Sequence, residues 1–128
     1  AGTATFDASG NITSVSDARV KDRIAALPYG LAEVLRLRPV VHGYNAASGL
    51  DTEHLYGGFL AQEVRDIMPL AVGQDSRGYL TLADRTVLGA VVRGVQELHG
   101  KTDESAQWAA REIAQLQARI AALEARRN

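Results

Sequence analysis

Ser16 and Lys21 are the residue pair with the clearest potential for chemistry. A serine hydroxyl becomes a nucleophile when a base removes its proton, and a lysine whose pKa is lowered by burial can be that base. The spacing alone is not selective, because five residues along one α-helix turn the second side chain about 140° away from the first. The two side chains could meet if Ser16 lies just before a helix, as its N-cap. A capping serine beside a solvated lysine remains the alternative interpretation.

The composition argues against several other classes of function. The 128 residues include no Cys, 14 Lys plus Arg against 15 Asp plus Glu, and carry a net charge of -1. Without Cys there is no disulfide or thiolate site, and His42, His54 and His99 lack the spacing of metal ligands, so we expect no metal and no cofactor. The balanced charge and the absence of a long apolar run lead us to expect neither a nucleic-acid partner nor a membrane partner.

The part of the chain before residue 83 predicts short strands and short helices. Residues 1–16 predict a hairpin, which we expect to end a β-structure further upstream because a lone strand pair is not stable. Apolar spacing predicts a helix from Ser16 to Pro28 and a second helix that ends before Pro39. A strand, a helix and a small hairpin follow, at residues 40–44, 61–68 and 70–82.

From about Ala83 the chain contains no Pro and follows a heptad pattern. An exposed apolar seam on a lone helix promotes aggregation, so we expect self-association, with packing of the helix on its own domain as the alternative. The pattern is weakest at His99 and Thr102, beside Gly100, where the helix could break. Arg119 at g and Glu124 at the next e favour a parallel partner. The a positions are Val92, His99, Ala106, Ile113 and Ile120, and the d positions are Leu88, Val95, Thr102, Ala109, Leu116 and Leu123.

Segments along the chain resemble, in order, the motifs of one protein family. Residues 16–21, Ser-Asp-Ala-Arg-Val-Lys, resemble the Ser-Asp-x-Arg-Leu-Lys signature of the intramolecular chaperone domains that end phage endosialidase tailspikes and many tail fibres. Residues 35–39 resemble the family's Leu-x-Pro step into a strand, and residues 58–64 resemble its Gly-Phe-Ile-Ala-Gln-Glu-Val segment. Pro69 lies where the family has a proline. The family is the endosialidase chaperone, or peptidase S74, family.

The resemblance implies a Ser-Lys dyad that cuts its own chain once. In it Ser16 is the nucleophile and Lys21 is the general base and then the general acid. The family implies cleavage of the Ser16–Asp17 bond, and attack on the Val15–Ser16 carbonyl is the geometric alternative. Within the helix predicted at residues 61–68, Gln62 and Glu63 are expected to satisfy backbone groups at its N-terminus. The residues that match the family motifs around the dyad are Asp17, Arg19, Phe59, Gln62 and Glu63.

We therefore expect an α+β fold, in which a small β-sheet and short helices precede a long C-terminal helix that forms a parallel trimeric coiled coil. The expected parts are the end of an upstream fibre, the globular chaperone part and the coiled-coil region, at residues 1–15, 16–82 and 83–128. The expected function is a homotrimeric intramolecular chaperone that folds an upstream phage tail fibre or tailspike and then releases itself as a single-turnover serine peptidase. The precursor would be made in the bacterial host cytoplasm, and the cleaved domain would be absent from the mature particle. A non-cleaving tip retained on the fibre and a plain trimerisation tag are the alternatives.

Overall fold

A computed structural model describes residues 5–127, in which short elements lead into one long helix. Turns of 3-10 helix at Ala18–Val20, Ala46–Ser48 and Pro69–Ala71 connect these elements. This confirms the expected succession of short strands and helices followed by a long C-terminal helix. The strands and helices in chain order are β1 Thr5–Phe6, β2 Ile12–Thr13, α1 Leu31–Val34, β3 Val40–His42, β4 Tyr56–Gly58, α2 Ala61–Ile67, β5 Val72–Gln74, β6 Leu80–Leu82 and α3 Asp84–Ala125.

The strands of the described residues form separate antiparallel pairs rather than the one small sheet expected. β1 pairs with β2, β3 with β4, and β5 with β6. Both predicted hairpin turns are present, and they close in the same way. Asp7 Oδ1 accepts hydrogen bonds from the backbone of Ser9 and Asn11, and Asp75 Oδ1 accepts from Arg77 and Tyr79. Strands of two or three residues offer few ladder bonds, and the β5–β6 pair is further supported by packing of Val72 and Leu82 against the core.

The core lies between α2 and the first turns of α3. Val64 and Met68 of the α2 region are fully buried and pack with Val87 and Ala90 of α3. Tyr29 is also buried, and its hydroxyl accepts a hydrogen bond of 3.2 Å from the backbone N–H of Leu70. The chain before α1 is therefore attached to the same core that α2 and α3 share.

The buried and exposed sides of α3 occupy different heptad positions. Val87, Ala90 and Gly94 are buried, and all three lie at c or f positions. The large apolar residues at a and d are 51 to 61% exposed. The helix thus packs on its own domain through its c and f side, near its start, while the seam stays open. The seven exposed seam residues are Leu88, Val92, Val95, Ile113, Leu116, Ile120 and Leu123.

The helix predicted between Ser16 and Pro28 is not formed. The segment contains only the 3-10 turn Ala18–Val20, after which Lys21 is extended and Arg23 has φ of 49°. Val20 and Ile24 are 68% and 75% exposed, so the apolar spacing does not mark a buried face in the single chain. A helix of this length needs a packed face to be stable, and β-branched residues disfavour it further.

The second predicted helix is shorter than its pattern suggests. α1 spans only Leu31–Val34, and Leu35, which follows it, is 75% exposed. α1 lies against Gly94 of α3, where an added Cβ would come within 3.3 Å of the Leu31 Cα atom. This close backbone approach and the packing of Val34 against the core position the helix.

The long helix does not break at Gly100. α3 continues through Gly100 for a total of 42 residues. Thr102 Oγ1 donates a hydrogen bond of 2.9 Å to the Leu98 carbonyl, and His99 Nε2 lies 3.3 Å from Asp103 Oδ2. Both contacts join successive turns of α3, so His99 and Thr102 are accommodated without a break in the helix.

Two glycines of α3 provide a matched test of this description. An added Cβ at Gly100 meets nothing within 4 Å, whereas one at Gly94 lies 3.3 and 3.4 Å from Leu31 backbone atoms. We expect Gly100→Ala to raise the free energy of unfolding by about 0.5–1 kcal/mol, because alanine costs less entropy in a helix. Gly94→Ala should lower the thermal midpoint, since the backbone of α1 must move. Thermal unfolding followed by circular dichroism measures both, and destabilisation by Gly100→Ala would indicate a break in the helix.

Candidate functional site

The turn after Ser16 brings the two chemically interesting side chains together. Lys21 Nζ donates a hydrogen bond of 2.7 Å to Ser16 Oγ. Ser16 lies just before the Ala18–Val20 turn and Lys21 just after it, and the Lys21 backbone N–H donates to the Ala18 carbonyl. An α-helix would have separated the two side chains, so this tight turn between extended residues is what permits their contact.

Asp17 and Arg19 close this turn. Asp17 Oδ1 accepts from the Arg19 backbone N–H at 2.9 Å, and Arg19 Nη2 lies 2.7 Å from Asp17 Oδ2. The hydrogen bonds from the Arg19 side chain and backbone lower the pKa of the Asp17 carboxyl. The two motif residues between the serine and the lysine therefore hold the turn that positions them, a role that the sequence alone did not define.

The Ser16–Lys21 pair is exposed in the single chain. Both residues are exposed, and so are the neighbouring apolar side chains of Val15, Val20 and Ile24. An amine acts as a general base through a free lone pair, and removal of water favours the uncharged form of an amine. General-base chemistry at this pair therefore requires that something cover it and remove water.

Two arginines of α3 bind the segment that contains Ser16 and Lys21. Arg85 Nη1 donates a hydrogen bond to Ser14 Oγ, and Arg93 Nη1 donates to the Leu27 carbonyl. The sequence analysis did not identify either contact. Arg85 occupies the a position one heptad before Val92, but the apolar heptads begin only at Leu88, so the pattern gave no signal for this contact.

The other family motif, at residues 58–64, lies away from the pair and supports the core. Phe59 packs against the core, while Gln62 lines a cleft of about 800 Å³ beside β4 and β6. Neither Ser16 nor Lys21 lines this cleft. The structure thus separates the motif residues into those around the serine and lysine and those that hold the domain together.

Glu63 pairs with a side chain rather than with the end of its helix. Arg38 Nη2 and Nε lie 2.5 and 3.2 Å from the two carboxylate oxygens of Glu63. The Arg38 hydrogen bonds lower the pKa of Glu63. The expectation that Glu63 satisfies backbone groups of its helix is therefore wrong. The pair joins the segment before β3 to α2, and so connects two of the segments on which the family resemblance rests.

Comparison with known protein families agrees with the resemblance. Residues 16–73 match the family model of peptidase S74, described as the chaperone of endosialidase. Residues 16–73 are a peptidase S74 chaperone domain. The match begins at Ser16 and includes the turn, α1, α2 and the Arg38–Glu63 pair. No curated protein sequence matches the chain.

The peptidase S74 domain implies an intramolecular chaperone role, as expected from the motifs. In the described part of the chain, no helix has both the length and the hydropathy that a bilayer span requires. Over the same residues, no group of His, Asp and Glu side chains lies close enough together to hold a metal ion.

The Arg38–Glu63 pair predicts a pH-dependent contribution to stability. Because Arg38 lowers the pKa of Glu63 below its ordinary value of 4.5, the pair stabilises the fold above that value. Its contribution is lost as the pH falls through the lowered pKa. We expect Glu63→Gln to lower the thermal midpoint at pH 7, and the difference from the wild-type chain to shrink in acid. Glu104→Gln, at an exposed position of α3, is the control. If Glu63→Gln lowered the thermal midpoint by the same amount at pH 7 and in acid, the prediction would be contradicted.

Proposed function

We propose that this chain is an intramolecular chaperone that trimerises, folds the β-structured fibre or tailspike upstream of it, and then releases itself by self-cleavage at Ser16. The observation that carries the proposal is the 2.7 Å contact between Lys21 Nζ and Ser16 Oγ, at the first residues of the peptidase S74 domain. The proposed parts are the fibre end at residues 1–15, the chaperone body at 16–82 and the assembly helix at 83–128.

Trimerisation is supported by the open seam of α3. The large apolar a and d residues from Leu88 to Leu123 are more than half exposed, while the c and f side is packed near the start of α3. A stripe of this length on a helix of 42 residues would be an aggregation hazard without a partner. Three parallel copies of α3 would bury this stripe and hold three upstream chains in register. The charges of Arg119 at g and Glu124 at the next e favour the parallel arrangement.

The proposed reaction is an acyl transfer followed by hydrolysis. Lys21 Nζ, as the neutral amine, takes the proton of the Ser16 hydroxyl while Oγ attacks a main-chain carbonyl. The C–N bond breaks, Nζ returns the proton to the leaving amine, and an ester to Oγ remains. Water then hydrolyses the ester, which yields a free carboxylate and restores the hydroxyl.

The attacked carbonyl distinguishes two products. Attack on the Val15 carbonyl closes a five-membered ring, whereas attack of Ser16 Oγ on its own carbonyl would close a strained four-membered ring. Ring size therefore supports the Val15–Ser16 bond as the alternative within one chain, while the family supports the Ser16–Asp17 bond, which is the bond we propose to be cut. The released chaperone begins with Ser16 in the first case and with Asp17 in the second.

Cleavage after assembly makes the folded fibre kinetically stable. A trimer that holds three chains together lowers the entropic cost of starting an interwound β-structure. Once the chaperone has left, the fibre cannot use it to refold, so its persistence depends on the unfolding barrier. We place the chain in a phage tail fibre or tailspike precursor, made in the bacterial host and lost from the mature particle.

The exposure of the Ser16–Lys21 pair supports one alternative function. If assembly leaves these side chains in water, Ser16 is not activated and the domain remains attached as a trimeric tip of the fibre. Retention of residues 16–128 on mature particles would distinguish this alternative from self-release.

Intact mass followed over time tests the dyad directly. We expect the wild-type chain of residues 1–128 to yield a fragment that starts at Asp17, and Ser16→Ala and Lys21→Ala to stay whole, because one lacks the nucleophile and the other the base. A fragment that starts at Ser16 would move the scissile bond but keep the dyad.

Oligomeric state provides the control for that experiment. Sedimentation equilibrium should show trimers for the wild-type chain and for both variants, since neither side chain lies on the a and d seam. A wild-type chain that stays whole as a trimer would contradict self-cleavage and support the retained tip. A monomer at all concentrations would contradict the chaperone mechanism itself.

A further inference from the structure

The middle of the α3 seam differs in composition from its two ends. Its large apolar side chains are interrupted between Val95 and Ile113, which lie about 27 Å apart along the helix axis. The four a and d positions between them carry small or polar side chains, so helices that meet along the seam gain little from apolar burial here. These four residues are His99, Thr102, Ala106 and Ala109.

His99 would carry a polar ring into this interrupted part of the seam. Its side chain is 76% exposed in the single chain and occupies an a position, so assembly of parallel helices would remove it from water. A buried imidazole needs a partner for each of its two ring nitrogens. Thr102, the other polar residue of the stretch, donates its hydroxyl proton to the Leu98 carbonyl of its own helix. The partner of His99 must therefore come from elsewhere.

Asp103 engages one of the two nitrogens of the His99 ring. His99 Nε2 lies 3.3 Å from Asp103 Oδ2, one turn further along the helix. When Nε2 carries the proton and donates it to this carboxylate, the lone pair of Nδ1 remains for a ligand. Histidines that bind metal ions are commonly oriented in this way, by a carboxylate on the nitrogen that does not face the metal. The contact therefore prepares the imidazole for a cation.

A parallel trimer brings three copies of this ring together. Each copy contributes His99 from the same a position, so the three rings lie in one layer around the axis. Three imidazole nitrogens and one water molecule make up a tetrahedral shell that suits Zn²⁺. One chain supplies one ring to this layer, so the spacing of histidines within a single sequence does not bear on such a site.

The charges beside the layer favour a cation over an anion. Asp103 lies at an e position, next to the seam, and the nearest other e and g residues are uncharged. Three copies therefore place three carboxylates beside the three rings. A divalent cation would balance part of this negative charge, whereas an anion would be repelled by it. The uncharged neighbours are Gln96, Leu98 and Ser105.

We propose that three copies of His99 form a site for a divalent transition-metal ion such as Zn²⁺ on the axis of the trimer, with Asp103 as the positioning residue of each ring. This inference rests on the trimeric assembly of the proposed function and does not involve the dyad. The bound ion would join the three helices where their apolar seam is interrupted, and so stabilise the assembly by the free energy of metal binding. The site lies outside residues 16–73, which the peptidase S74 family model matches.

Calorimetric titration of the untagged chain of residues 1–128 with Zn²⁺ tests the site. We expect one ion per three chains, and a thermal midpoint that rises with Zn²⁺ and returns to its metal-free value with a chelator. His99→Gln should abolish both effects, whereas His54→Gln, the same change at an exposed histidine outside α3, should keep them. Asp103→Asn should keep the stoichiometry and weaken the affinity by about ten- to a hundredfold. Self-cleavage does not alter the count, because α3 follows the scissile bond.

Sedimentation with and without Zn²⁺ separates this site from the proposed function. A metal-free trimer that binds no Zn²⁺, binds one ion per chain, or binds it equally well after His99→Gln would overturn the site and leave trimerisation and self-cleavage in place. Stabilisation by chloride or phosphate but not by Zn²⁺ would also overturn it, since the three rings would then hold an anion. Unchanged affinity in Asp103→Asn would overturn the role of Asp103. A chain that is monomeric both with and without Zn²⁺ would overturn the proposed function, and this inference with it.

Discussion

The packing of Val87, Ala90 and Gly94 against the rest of the domain determines the orientation of everything else on α3. Because these residues lie at c and f positions, the a and d seam points away from the domain and is free for other copies of the chain. Gly94 contributes to this packing because it has no side chain, so α1 can lie close to the backbone of α3. A helix turned by one position would bury part of the seam and expose small residues in its place.

The same helix connects assembly to the reactive segment. Its first turns pack on the core, its large apolar a and d residues are exposed, and Arg85 and Arg93 contact Ser14 and the Leu27 carbonyl on either side of Ser16 and Lys21. Val15, Val20 and Ile24, which are close to this pair in sequence, are also exposed in the single chain. If self-cleavage requires that the pair be covered, this exposure would delay cleavage until the fibre chains are together.

The sequence predicted the features that depend on local chemistry. Hairpin turns at Asp7 and Asp75 and the long heptad helix follow from short-range signals, and the family motif identified Ser16 and Lys21. The helix proposed over residues 16–27 failed because the apolar spacing of Val20 and Ile24 was assumed to mark a buried face. The pairing of Arg38 with Glu63, and of Arg85 with Ser14, joins residues far apart in the sequence. Periodicity carries no information about such contacts, so only the fold could show them.

The dependence of the cleavage rate on protein concentration tests the link between assembly and chemistry most directly. If the dyad becomes active only in the trimer, the initial rate per chain should rise steeply with concentration and level off when the chain is fully trimeric by sedimentation. A rate per chain that is the same in dilute, monomeric protein as in the trimer would contradict this account. It would show that the turn holding Ser16 and Lys21 is active by itself.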